Sequence, residues 1–274
     1  MIEWEWFRTN RSVAMTGMRA MFVADWVRPV FIHFAVEAGP LQEMIPFELD
    51  LVDGKAYVSL VAFTQARLRP SVGGRIAAWL STPLSEHEFL NLRTYVRDGD
   101  RRAIFFLAEW IPNRLAAFIG PRTYGLPYRL GRLRYWGDVA EGRVFGDVRS
   151  REGRVRFIGH TDSEAYSEAP EGSLDHFLLE RYTAFTSRGG LQRRFDVAHA
   201  PWSMKRIQIA LPEATLLTTT LPWIGEAIPS LAHTSPGVRD VTISRPLRQT
   251  SARSSCTLWS QHEAERSGYV QSPR

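Results

Sequence analysis

Cysteine occurs once, at Cys256. A disulfide within the chain is therefore excluded, as is a metal centre built on several thiolates. Cys256 lies in a polar stretch and reads as an incidental thiol. Lysine is almost as scarce: Lys55 and Lys205 are the only two. No apolar run approaches the roughly 18 residues that cross a bilayer as a helix. The longest runs, residues 30–36 interrupted by His33 and residues 103–108, are strand length. The opening Met1-Ile2-Glu3-Trp4-Glu5-Trp6 is acidic and aromatic, whereas a secretory leader starts basic and turns apolar. The expectations are a cytoplasmic location and no membrane partner. Repeats at solenoid or propeller periods are missing. So are G-x-S-x-G, H-E-x-x-H, the phosphate-binding G-x-x-x-x-G-K-[ST] and the dinucleotide glycine triplet. The 7 histidines stand singly, with no pair at i, i+2 or i, i+4, so neither a metal nor a cofactor is expected.

What is present is a globular composition: 44% hydrophobic and 23% charged residues in a chain of 274. That is enough for one large core, and β barrels of this size often form a single domain. The net charge of +5 comes almost wholly from arginines scattered among acidic residues. Nucleic acid is not an expected partner, because it selects a clustered basic face.

The chain reads as about ten strands with a few short helices. Strands are expected over residues 26–36, 48–52, 55–67, 89–97, 101–110, 123–135, 143–149, 154–159, 190–198, 204–219 and 238–244. Asp53-Gly54 and Asp98-Gly99-Asp100 mark hairpins. Short helices are expected at residues 40–45, at 113–119 (ended by Gly120-Pro121), after Ser173 and over 221–228. Residues 67–74 read as a loop. The elements do not alternate βαβ, which points to a mostly β, α+β domain built on an antiparallel or mixed barrel. It is bounded at residues 1–246, with an arm over 1–20 and a loosely ordered polar tail over 247–274.

In Asn91-Leu92-Arg93-Thr94-Tyr95-Val96, strand alternation puts Asn91, Arg93 and Tyr95 on one face. Glu109 interrupts an apolar strand and needs a partner if buried, and Arg93 is the candidate. The pair is either structural or the polar floor of a barrel, with Arg93 gripping an anion through its planar fork. His33, between Ile32 and Phe34, and His199, before Ala200-Pro201-Trp202, are each either hydrogen-bonded core histidines or ligand contacts.

Phe31-Ile32-His33-Phe34, the Asp53-Gly54 turn, Asn91 to Val96, Leu126-Pro127-Tyr128, Leu179-Glu180-Arg181-Tyr182 and His199 to Trp202 resemble, in order, the YqjF-like family of uncharacterised bacterial proteins. The resemblance covers about residues 20–244. It implies an acetoacetate-decarboxylase-like fold: a closed or nearly closed, conical β barrel with an internal pocket and a few short peripheral helices. In that decarboxylase a lysine after Gly-x-Pro forms a Schiff base, activated by a neighbouring cation. Here Gly125-Leu126-Pro127 matches the turn, but Tyr128-Arg129 stands where the two lysines would be. A phenol forms no imine, so the decarboxylase route is not expected unless Lys205 faces the interior.

The functional expectation is a pocket for a small anionic or carbonyl-bearing molecule. Arg93, Asn91, Tyr95, Arg129, His33 and His199 would bind it. Tyr128 and Glu109 would supply non-covalent, lyase- or hydratase-like acid–base chemistry. The alternative is a non-enzymatic binding or interaction module on the same barrel. Self-association into a homo-oligomer stays open.

Overall fold

A computed structural model describes residues 19–249 apart from 75, 77, 78, 80, 81, 139–141 and 162–164. Strand β1 (Ala20–Val36) leads through α1 (Ala38–Met44) and β2 (Glu48–Leu49) to β3 (Ala56–Pro70), β4 (His87–Asp98) and β5 (Arg101–Ile111). Helix α2 (Arg114–Thr123) precedes β6 (Tyr128–Asp138), β7 (Arg143–Ser150) and β8 (Gly153–His160). Then come α3 (Leu174–Leu179), β9 (Thr183–Arg188), β10 (Leu191–Ala198), β11 (Lys205–Arg206), β12 (Gln208–Glu213) and α4 (Thr215–Thr220). The last strands are β13 (Leu231–Thr234), β14 (Gly237–Ser244) and β15 (Leu247–Arg248).

Strands β4, β5, β9, β10, β14, β1 and β3 pair in that order, and β3 pairs back onto β4, closing a seven-stranded barrel. Within it, β5–β9 is parallel and the other seams are antiparallel. Strands β6, β7, β8 and β12 form a second antiparallel sheet, joined to the barrel by parallel pairing of β6 with β5. Strand alternation explains why β3 is apolar on both faces. Val58, Leu60 and Ala62 join Leu90, Leu92 and Trp110 in a core outside the barrel wall, shared with Val148, Val155 and Phe157 of the second sheet. Val61 and Phe63 face the barrel interior with Phe31, Phe89 and Ile104.

Several expected boundaries move. Around Asp53-Gly54, both at positive φ, a single bridge joins Val52 to Lys55; β2 pairs with β4 instead, so the turn forms without the hairpin ladder. The stretch read as a loop after Arg67 continues β3 to Pro70 beside β1. Helix α2 runs through Gly120-Pro121 to Thr123. Proline removes one N–H, but the Tyr124 N–H still closes the last turn on the Gly120 carbonyl at 2.9 Å. Strand β6 consequently starts at Tyr128 and not at residue 123. Residues 204–219, expected as one strand, divide into β11, β12 and α4. The helix expected over 221–228 is a 3-10 turn at Pro222–Ile224. Of the expected tail, Leu247–Arg248 adds to β10, while residues 250–274 lie outside the described residues, as does the arm before residue 19. No helix among the described residues is long and apolar enough to cross a membrane.

Candidate functional site

The barrel encloses a cavity of about 290 Å³. Its polar groups are set by strand register. On β4, His87, Phe89, Asn91 and Arg93 alternate inward, and each two-residue step advances about 7 Å. His87 lies opposite Gln65 of β3. One level below Phe89, Asn91 lies opposite Glu109 of β5, and Glu109 opposite Tyr128 of β6. A further level down, Arg93 lies opposite Ser59, which lies opposite His33 of β1. Tyr128, Glu109 and Asn91 thus form a lateral row, and Arg93 forms the floor beneath it.

The turn that delivers Tyr128 depends on two glycines. Gly125 adopts φ 72°, where an L side chain is strained. Gly120 lies under the Tyr128 ring, and a methyl group there would overlap the ring.

Burial sets the charge states. Glu109 is held well above the usual carboxylate range by burial, which Arg93 offsets only in part. Tyr128 is raised well above 10 by burial and by Glu109. Burial lowers His87 to about 4. Burial thus favours the uncharged form of all three groups. The Arg93–Glu109 ion pair expected from the sequence does not form. Among the described residues no carboxylate lies within 4 Å of Arg93. The guanidinium instead sits 5.5 Å from the Phe31 ring centroid and donates one long hydrogen bond, 3.5 Å, to the Leu178 carbonyl. The bulge between Leu92 and Arg93 sets Arg93 opposite Phe106, out of step with Glu109.

The wall is rich in unsatisfied polar atoms. Among the described residues, Asn91 Oδ1, Glu109 Oε2, Arg93 Nε and both His87 ring nitrogens are buried without a hydrogen-bond partner. Each costs about 1–3 kcal/mol, and they converge on one cavity.

Of the residues expected at the site, Tyr128, Glu109, Arg93, Asn91 and His199 line the cavity, and Arg129, Tyr95 and His33 do not. Arg129 follows inward-facing Tyr128 on a strand, so it points to the other face and stacks on Trp110 at 5.5 Å. Tyr95 and His33 are fully buried below the floor. Lys205 is also buried but lies outside the cavity, with its Nζ 4.5 Å from the Tyr166 ring centroid. His199 packs against Trp26 and Trp202 at the cavity wall and contacts the Ala200 carbonyl at 2.7 Å through Nδ1. Sequence reasoning missed His87, Gln65 and Arg181. Extending the β4 alternation two steps back from Asn91 finds His87. Arg181, anchored to Asp50 at 2.8 Å, gives no periodic signal.

The sign of the Glu109 effect is testable. The unfolded chain ionises Glu109 near pH 4.5 while the folded chain still holds the proton, so this group makes stability fall as pH rises above that value. Glu109→Gln should therefore melt higher than wild type at pH 8 and close to it at pH 4. An equal offset at both pH values would contradict the neutral carboxyl.

Comparison with known proteins places the geometry in context. The acetoacetate decarboxylase of Legionella pneumophila superposes with TM-score 0.59 at 9% identity, covering 85% of this chain and 88% of that one. An acetoacetate decarboxylase-like enzyme from Sphingomonas wittichii RW1 gives 0.58 at 14%, covering 84% and 93%. The enduracididine biosynthesis enzyme MppR gives 0.60 at 12%, covering 84% and 88%. These likenesses establish an acetoacetate-decarboxylase-like fold. The uncharacterized protein YqjF of Bacillus subtilis (strain 168) is 28% identical over 199 residues, 70% of this chain and 78% of that protein. The model of the DUF2071 family, uncharacterized conserved proteins, matches residues 23–239, and the chain belongs to that family.

Proposed function

We propose that the barrel binds a small carboxylic acid bearing a carbonyl on an apolar body and acts on it without a covalent intermediate. The observation that carries this reading is Arg93: a buried guanidinium on the cavity floor with no carboxylate partner among the described residues. An unpaired charge in a low-dielectric site is costly to the fold and attracts an anion. Arg93 would grip the carboxylate. Tyr128 and the protonated Glu109 carboxyl, one level above, would both donate to a carbonyl oxygen and strengthen their hold as it becomes an enolate. Asn91 offers its free Oδ1 to a donor on the same ligand. The aromatic wall of Phe31, Phe63, Phe89 and Trp202 suits an apolar body. Proton addition or removal next to the carbonyl, as in lyase or hydratase chemistry, is the reaction class such a pair serves.

Phenylpyruvate is the test ligand and phenylacetone, which lacks the carboxylate, its control. The acid should raise the melting temperature, because a ligand that binds only the folded state stabilises it by mass action. The ketone should not. Borohydride added to the phenylpyruvate complex should leave the protein mass unchanged, since no lysine lines the cavity among the described residues. Equal stabilisation by both compounds would end the anion reading, and a reduced adduct would restore imine chemistry. Stabilisation by the acid with no turnover would identify a binding module.

A further inference from the structure

Below the floor runs a chain of polar side chains that the cavity chemistry does not use. Asp175 of α3 meets His233 Nε2 at 3.1 Å, His233 Nδ1 meets His33 Nε2 at 3.1 Å, and His33 Nδ1 meets Ser59 Oγ at 2.7 Å. Ser59 Oγ meets the Tyr95 hydroxyl at 2.7 Å, and Tyr95 donates to the Leu178 carbonyl at 2.9 Å. Tyr95 also lies 3.4 Å from His33 Nδ1, across the corner that Ser59 fills. His33, Ser59, Tyr95 and His233 are all 0% exposed, so water cannot complete their hydrogen bonds. Asp175 opens the chain to the surface through Arg206, its partner at 2.8 Å, whose side chain is 63% exposed. Arg93 approaches from β4 and Arg181 lies 5.3 Å from the Tyr95 ring centroid. Lys205, next to Arg206 on β11, turns to Tyr166.

Counting protons gives a definite result. Apart from the 3.4 Å diagonal between Tyr95 and His33, the chain has five contacts in series: Asp175–His233, His233–His33, His33–Ser59, Ser59–Tyr95 and Tyr95–Leu178. With Asp175 ionised and both imidazoles neutral, the side chains hold four protons, one on each of His233, His33, Ser59 and Tyr95. Two acceptors facing each other at such distances without a proton repel. We infer that the Asp175–His233–His33–Ser59–Tyr95 chain is a buried proton-binding site that carries a fifth proton when every contact is made.

The fifth proton belongs on His233. Asp175 is held below the usual carboxylate range, first by its bond to His233 and also by Arg206, so it stays ionised. His33 is held far below 6.5 by burial, with His233 and Arg93 adding to the effect, so it stays neutral. His233 then donates from both nitrogens, to Asp175 and to His33. His33 donates to Ser59, Ser59 to Tyr95, and Tyr95 to the Leu178 carbonyl. When the fifth proton leaves, the four that remain fill the contacts from the Asp175 end, the donor reverses in each contact from His233–His33 to Ser59–Tyr95, and the vacant contact is Tyr95–Leu178. That carbonyl is also the acceptor of Arg93. Release of one proton thus takes the Tyr95 donor from the Leu178 carbonyl, which Arg93 also meets at 3.5 Å.

Nitrogen-15 histidine spectra of the whole chain, recorded from pH 5 to 9, test the inference. At pH 6.5 one buried imidazole should carry protons on both nitrogens beside a second that is protonated on Nδ1 only. Tyr95→Phe removes the contacts to Ser59 and Leu178, the diagonal to His33 and one carrier, leaving three contacts and three protons. Ser59→Ala keeps the diagonal between Tyr95 and His33, leaving four contacts for three protons. Tyr95→Phe should lose the doubly protonated signature at pH 6.5, and Ser59→Ala should keep it. Two singly protonated imidazoles in the wild type at pH 6.5 would overturn the inference. So would the wild-type signature in Tyr95→Phe, or its loss in Ser59→Ala.

Discussion

Arg93→Met is expected to weaken phenylpyruvate binding about 100-fold while leaving the melting temperature of the free protein unchanged or higher. Two charge-assisted hydrogen bonds to a carboxylate contribute about 1.5–3 kcal/mol each, and a net loss near 3 kcal/mol is about two decades in affinity. The side chain gives the fold little in return. Among the described residues its one hydrogen bond is long and its Nε is unpartnered, so methionine removes a desolvated charge and keeps the volume. Arg93→Lys should lie between, retaining the cation but not the planar fork. Calorimetric titration of the three proteins checks the order. A methionine variant that binds as tightly as wild type, or one that unfolds, would show Arg93 to be structural.

Gly237→Ala should be the most damaging single methyl in the barrel, costing more than about 3 kcal/mol and lowering the melting temperature by roughly 10 °C. Gly237 begins β14 at φ 111°, opposite Val27 of β1. A methyl group there would overlap the Trp26 carbonyl oxygen, which is backbone and cannot turn aside. Both the conformation and the space forbid it. Gly189→Ala is the internal control: its φ of 57° is also left-handed, but nothing lies within 4 Å of the added carbon, so its cost stays near 1 kcal/mol. Thermal unfolding that moved equally in both variants would mean that the β1–β14 seam adjusts freely.

The sequence was most readable where physics is local. Alternation on β4 placed Asn91 and Arg93 on one face, and both line the cavity. Glu109 announced itself as a charge inside an apolar strand. The same alternation should have separated Tyr128 from Arg129, since consecutive strand residues cannot share a pocket; the matching of both to a lysine pair obscured that. Short elements escaped as well. Strand β9, Thr-Ala-Phe-Thr-Ser-Arg, and β13, Leu-Ala-His-Thr, are half polar, and beyond the β9–β10 hairpin what stabilises them is pairing with β5, β1 and β11, remote in sequence. The buried chain of polar side chains was invisible for the same reason. His33 and His233 lie 200 positions apart and meet only because β13 pairs with β1.

That pairing has a consequence for biosynthesis. The first described strand is flanked by β3 on one side and by β13 and β14 on the other. While the chain is still emerging from the ribosome, β1 can find β3 at once but must leave its opposite edge bare until residue 244 has been made. A bare apolar edge is a template for pairing with another molecule, and late, long-range closure is slow. Production yield should therefore depend on what shields that edge during synthesis more than on the stability of the finished barrel.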